Sequence, residues 1–156
     1  MYLVEYDMQH REAINNYCLT DAMIYFTSEP KENVSISETK RTYHSIVCYA
    51  NKKLVTFFVL DESSAKSIYT NEPNAMLLRA FSTDTRYTRK GHAKEALTLL
   101  PDFVKQQYPH IKEIVLAVNS KNNAAQKLYL NANFSDTGKK ARGEKGELLI
   151  FNYKII

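Results

Sequence analysis

The chain has 156 residues, 44% hydrophobic and 24% charged, a balance that suits one compact domain with a real core. No apolar run reaches the roughly 18 residues of a membrane span, and the start lacks a basic segment followed by an apolar one, so neither a membrane anchor nor a signal peptide is expected. A net charge of +4 is too modest to name a nucleic-acid partner, and Cys18 and Cys48 are too isolated for a disulfide framework or a zinc site; the chain reads as cytoplasmic and reduced.

Tyr2–Tyr6 alternates weakly and reads as an edge strand. Gln9–Cys18 reads as a helix, with Ala13, Ile14 and Tyr17 at helical spacing, and Asp21–Phe26 as a second short one. Ser28–Thr42 is polar, contains Pro30 and reads as a loop or a frayed helix. His44–Ala50 and Lys53–Leu60 are apolar and β-branched or aromatic; with Asn51 and Lys52 between them they predict a hairpin. Asp61–Asn74 has no periodicity and reads as a long surface loop.

Ala75–Thr83 is the next strand. Gly91–Tyr108 carries Ala93, Ala96, Leu97, Leu100 and Val104 on one stripe, as a helix would, with Pro101 expected to kink it. Glu113–Val118 is a continuous apolar run, the pattern of a strand covered on both faces. Asn122–Ala132 is a helix with Ala125, Leu128, Tyr129 and Ala132 inward, and Asn133 takes its left-handed cap. Phe134–Lys139 and Leu148–Tyr153 form a last pair, joined by a basic, glycine-containing loop over Gly138–Gly146. This order implies an α/β fold around a mixed, partly antiparallel sheet in a single domain over residues 1–156.

Chemistry concentrates in two segments. The first is Thr88–Ala93, TRKGHA, between a strand and an apolar-striped helix. Free N–H groups at a helix start attract phosphate, and Gly91 lets the backbone turn and a ligand come close. Arg89, Lys90 and Lys94 add positive charge there. By itself the turn reads equally as a plain strand-to-helix connection with a solvated basic face. The second segment is VLAVNSKNNAAQKLYLNANF, Val115–Phe134. Asn122 and Tyr129 are seven apart in it and share one helix face.

Together the two segments resemble the acyl-CoA site of the GNAT superfamily of N-acyltransferases. That family carries Gln or Arg, two variable residues, Gly, one variable residue, then Gly or Ala. Gly91 and Ala93 match, while Thr88 stands where Gln or Arg is usual. Asn119, Asn122, Ala125, Leu128 with Tyr129, and Asn133 with Phe134 follow the family's next strand and helix, with Asn133 replacing a Gly. The resemblance covers Ala75–Tyr153, about half the chain.

It implies a GNAT-like fold, a mostly antiparallel central sheet splayed at the cofactor site and flanked by helices. It also implies acetyl-CoA as co-substrate, no metal, and transfer of an acetyl group to a small-molecule amine or protein amine in a ternary complex. Phe81, Ser82 and Thr83 match the strand end whose backbone pairs with the pantetheine arm. The turn Thr88–Lys94, His92 included, corresponds to the pyrophosphate site. Asn119 and Asn122 hold the pantetheine or order its surroundings, with Ala125 beside them. Tyr129 corresponds to the general acid that protonates the departing thiolate, a role within reach of a phenol of pKa about 10. A backbone N–H near Ser82 serves the oxyanion.

The preceding strand holds no acid to deprotonate the amine; it has Arg79, suited to an anionic group on the acceptor or to an ordinary ion pair. Glu62 and Asp84 are the remaining carboxylates considered. The acceptor wall is sought among Tyr17, Tyr25, Phe26, Tyr43 and His44, each of which reads equally as core, with Tyr25 and Phe26 the main candidates. His10, His44, His92 and His110 are scattered without paired spacing, so no metal site is expected. No hydrolase elbow, P-loop or dinucleotide fingerprint occurs. A CoA-binding module without transferase activity and a basic nucleic-acid-binding domain stay open as rivals, though no nucleic-acid motif is present and neither nucleic acid nor membrane is expected as a partner. A homodimer through a sheet edge is left open too.

Overall fold

The computed structural model describes residues 1–155. Its centre is a seven-stranded sheet in the order β1-β2-β3-β4-β5-β7-β6. The strands are β1 (Tyr2–Glu5), β2 (Tyr43–Ala50), β3 (Lys53–Asp61), β4 (Ala75–Thr83), β5 (Glu113–Asn119), β6 (Ser135–Gly143) and β7 (Gly146–Lys154). The helices are α1 (Arg11–Asn15), α2 (Asp21–Ile24), α3 (Pro30–Ser37), α4 (His92–Gln107) and α5 (Asn123–Asn131). Every neighbouring pair is antiparallel except β4–β5.

One face of the sheet packs α4 and α5 through Met76, Leu78, Leu97, Leu100, Leu116 and Tyr129. The other carries α1 and α3 over Val47, Phe57 and Val59, with a smaller cluster around Leu77, Val115 and Ile150. β5 is buried almost throughout, as its apolar run predicts. The β2–β3 hairpin turns on Asn51 and Lys52, both at positive φ, which matches the twist of the strands.

Two expectations are corrected and one is resolved between its alternatives. Ser28–Thr42, read as a loop or a frayed helix, is no loop over Pro30–Ser37, where Pro30 opens α3 at its first turn and a missing N–H costs nothing. The helix is weakly amphipathic, so its pattern was faint; buried Asn33 and Val34 hold it, with the Tyr43 hydroxyl donating to Asn33 Oδ1. The predicted Gln9–Cys18 helix is shorter, a 3-10 turn over Met8–His10 followed by α1. Gly138–Gly146 is not a loop either: β6 and β7 run on to a turn at Glu144 and Lys145, with a bulge between Asp136 and Lys140. β6 is an edge strand, mostly exposed and charged, so it lacks the alternation that marks a half-buried strand. α4 continues through Pro101.

Two features of β4 position the site. β4 and β5 pair only from Ala75–Leu77 with Glu113–Val115; beyond that β5 keeps β7 as its partner and the two strands part. Opposite β3, the register jumps from Val59↔Arg79 to Phe57↔Ser82, so β4 holds one residue more than β3. Ala80 sits at φ 55, which marks a β-bulge. Bulging sharpens the local twist and leaves a backbone group outside the ladder.

Candidate active site

The splay opens a cleft between the ends of β4 and β5. Phe81, on the parting end of β4, is stacked on Phe58 at 5.7 Å and edge-on to Tyr129 at 6.1 Å. Tyr129 comes from α5 and also packs on Phe134 at 5.9 Å. Burial pushes the Tyr129 phenol well above its ordinary value, and no hydrogen bond or charge contributes. The group therefore stays protonated and is able to donate a proton or a hydrogen bond to an arriving anion.

At the mouth of the cleft, the chain leaves β4 through a 3-10 turn, Thr85–Tyr87, and enters α4. The Thr88 hydroxyl donates to the Thr85 carbonyl at 3.3 Å, so it shapes the turn. Arg89 (φ 62) and Gly91 (φ 81) bend the backbone left-handedly. No side chain caps α4, so the N–H groups of His92, Ala93 and Lys94 lack intrahelical partners. Arg89, Lys90 and Lys94 are exposed around them. Uncapped donors, a helix dipole and three cations fit a diphosphate.

The two asparagines do structural work. Asn119 donates through Nδ2 to the Lys145 carbonyl at 3.1 Å and accepts from Lys121 N–H at 2.9 Å. Asn122 caps α5 by accepting from Ala125 N–H at 3.2 Å. Gln126 donates to the Asn119 and Ser120 carbonyls, each at 3.1 Å. Both asparagines order the cleft wall, and Asn119 ties it to the β6–β7 turn.

On the opposite face, the segment after α1 is fastened to the end of β4. Tyr17 lies beside Ser82, its hydroxyl 2.9 Å from both the carbonyl and Oγ of that residue. Cys18 N–H donates to Asp84 at 3.0 Å, Thr85 N–H to the Cys18 carbonyl at 2.8 Å, and Arg86 to the Asn16 carbonyl at 2.8 Å. Burial opposes ionisation of Asp84, yet the bonds from Arg86 and Cys18 outweigh it and hold the carboxyl below its usual range. Asp84 is thus a clamped anion and no free base.

Tyr25 and Phe26, at the end of α2, are exposed and edge-to-face at 4.8 Å. Lys145 reaches the Tyr25 ring and carbonyl from the β6–β7 turn. Arg79 pairs with the buried Asp61 at 3.1 Å, the structural role weighed for it. Tyr43 is core. His44 lies near the start of β2, where it meets Glu5 at 3.2 Å and Glu62 at 2.6 Å; His110 joins Glu62 at 2.6 Å. No local pattern signals that these histidines meet, because they come from opposite halves of the chain. Glu62 is accordingly engaged by two histidines. Among the described residues no cluster is arranged to hold a metal ion, and no helix is long and apolar enough to cross a membrane.

Known proteins share the family and the fold of this chain. A model of the acetyltransferase (GNAT) family matches residues 11–134. An uncharacterized N-acetyltransferase of Bacillus subtilis (strain 168), YbbJ, is 36% identical over 149 residues, covering 95% of this chain and 93% of that protein. The aminoglycoside acetyltransferase AAC(6')-Ib, solved with coenzyme A and kanamycin, superposes with a TM-score of 0.75 at 11% identity, covering 97% of this chain and 93% of that one. Spermidine N-acetyltransferase from Vibrio cholerae, solved with CoA and spermine, gives 0.73 at 15% identity, covering 99% and 95%. The chain belongs to the GNAT family and is an acyl-CoA-dependent N-acetyltransferase.

Proposed function

We propose that the chain transfers the acetyl group of acetyl-CoA to a primary amine by direct attack in a ternary complex, working as one domain. The observation that carries this reading is the splay of β4 from β5, with the bulge on one side and the protonated Tyr129 on the other. Acetyl-CoA supplies the activated acyl carbon. The uncapped start of α4, with Arg89, Lys90 and Lys94, receives its diphosphate. A bulge N–H faces the thioester oxygen as negative charge develops on it. The amine nitrogen forms the new C–N bond, the C–S bond breaks, and the sulfur takes the Tyr129 phenolic proton. The phenol regains a proton from water, and the nitrogen's surplus proton leaves to water.

A small cationic amine is the acceptor class we favour. The solved neighbours carry kanamycin or spermine, and the Tyr25 ring together with its carbonyl already holds one ammonium, that of Lys145. Calorimetric titration with acetyl-CoA, against dephospho-CoA and ATP, tests the cofactor half. Free-thiol release over a panel of polyamines, aminoglycosides and amino acids tests the acceptor half. Specific micromolar binding with thiol release on a cationic amine is expected; absence of acetyl-CoA binding to folded protein would refute the reading.

A further inference from the structure

Tyr17 lies outside every motif that pointed to the cleft, yet it touches the residue directly after the bulge. Its hydroxyl is 2.9 Å from the Ser82 carbonyl and 2.9 Å from Ser82 Oγ. A carbonyl only accepts, so the single phenolic proton goes there. The Ser82 hydroxyl must then donate to the Tyr17 oxygen. Burial pushes the Tyr17 phenol far above its ordinary value, which keeps that proton in place. Both hydroxyl protons are therefore committed, and the Ser82 side chain has none to offer a developing oxyanion. With Ser82 engaged in this way, the oxyanion donor of the reading above is main-chain.

We propose that Tyr17 is a positioning residue for acyl transfer: by holding the Ser82 peptide it fixes the orientation of the bulge at Ala80 and Phe81, whose N–H meets the thioester oxygen. A bulge is a deformable part of a strand, since one residue has no ladder partner. Here β4 is also free of β5 beyond Leu77, so the usual neighbour cannot restrain it. β3 regains its pairing only at Ser82 and Thr83, and Tyr17 supplies a further restraint there from the face of the sheet that carries α1 and α3. The role rests on the bulge receiving the thioester carbonyl, as proposed above.

Tyr17→Phe isolates this role, because the ring keeps its packing and the adjoining segment keeps its other ties through Cys18, Asn16, Asp84 and Thr85. The direct readout is the infrared stretch of carbonyl-labelled acetyl-CoA, which moves to lower frequency when donors polarise the bound thioester. The wild type is expected to show that shift. Tyr17→Phe should lose about half of it or more and lower kcat by about tenfold, less than loss of a direct oxyanion donor costs. Affinity for CoA should stay within about twofold, because the diphosphate site is untouched. Ser82→Ala keeps the Tyr17-to-carbonyl bond and should retain most of the shift. A full shift and full kcat in Tyr17→Phe would overturn the proposal. So would a loss of CoA affinity equal to the loss of kcat, which marks general damage, or a shift abolished by Ser82→Ala alone. No shift in the wild type would instead remove the bulge as carbonyl receptor, and the proposal with it.

Discussion

Lys145 sets its ammonium 4.0 Å from the centre of the Tyr25 ring and donates to the carbonyl of the same residue at 2.7 Å. One side chain thus joins the β6–β7 turn to the end of α2. The turn itself is held from below, since Asn119 at the tip of β5 donates to the Lys145 carbonyl. The wall of the cofactor cleft and the N-terminal helices are in this way linked through one lysine.

The arrangement makes Lys145 an internal rival for any cationic acceptor. Exposed cation–π contacts contribute only about 0.5–1 kcal/mol, so the clasp opens readily. Lys145→Ala is expected to lower KM for a polyamine or aminoglycoside by roughly two- to fivefold, the range that such a contact spans. Affinity for acetyl-CoA should not change. Steady-state thiol release at varied amine concentration measures this. A raised KM would show instead that Lys145 orders the wall.

Tyr129→Phe removes the phenolic proton and leaves the contacts with Phe81 and Phe134 in place. Turnover is expected to fall by about a hundredfold or more, the usual contribution of a positioned acid, with acetyl-CoA affinity within about twofold. Because burial raises the phenol above its ordinary value, kcat in the wild type should show no loss from Tyr129 ionisation up to about pH 10. Equal turnover of both proteins would end the general-acid role.

Gly91 stands at φ 81, and a Cβ added there would meet nothing within 4 Å. Space is therefore not what requires glycine; the left-handed backbone is. Gly91→Ala should cost about 1 kcal/mol of stability and weaken acetyl-CoA binding by disturbing the free N–H groups of the next turn. Thermal melting and calorimetry check the two effects. Unchanged affinity would place the diphosphate away from this turn.

Much of this was legible from local pattern. The helical stripe of α4, the apolar run of β5 and the TRKGHA turn each depend on neighbours in sequence, and the structure puts them where the pattern does. The bulge at Ala80 was not legible, because alanine carries no signal for positive φ and the insertion exists only relative to β3. Asn119 and Asn122 were placed at the cleft by the resemblance, but their hydrogen bonds, which decide what they do there, run to Lys145, Lys121 and Ala125. Tyr25 and Phe26, sought as an acceptor wall with core packing as the alternative, are exposed just past the end of α2, and the Lys145 ammonium over the Tyr25 ring comes from a turn that local pattern does not connect to them. Arg79 pairs with Asp61, which lies diagonally across on β3, two residues past its register partner Val59, a proximity that only strand pairing creates.

The cluster at the far end of the sheet predicts a pH-dependent stability independent of catalysis. His44 sits between Glu5 and Glu62; Tyr108 donates to Glu5 and His110 contacts Glu62. The bond from His44 leads in lowering the Glu5 carboxyl below 4.5, against its burial. Burial resists ionisation of Glu62, yet its bonds to His110 and His44 lower it too. Burial likewise opposes charge on His44, but the two carboxylates raise it above 6.5. The carboxylates stabilise the fold above their unfolded values and lose that contribution as pH falls through their lowered ones. His44 contributes below its unfolded value and loses its contribution as pH rises through the raised one. Both contributions are complete only between about pH 4.5 and 6.5, so Tm should peak there and decline toward pH 8. His44→Gln removes the histidine's titration and should flatten the decline between pH 6 and 8 while lowering Tm at pH 6. Scanning calorimetry of both proteins from pH 4 to 9 measures it, and parallel curves would show that His44 is not the titrating group.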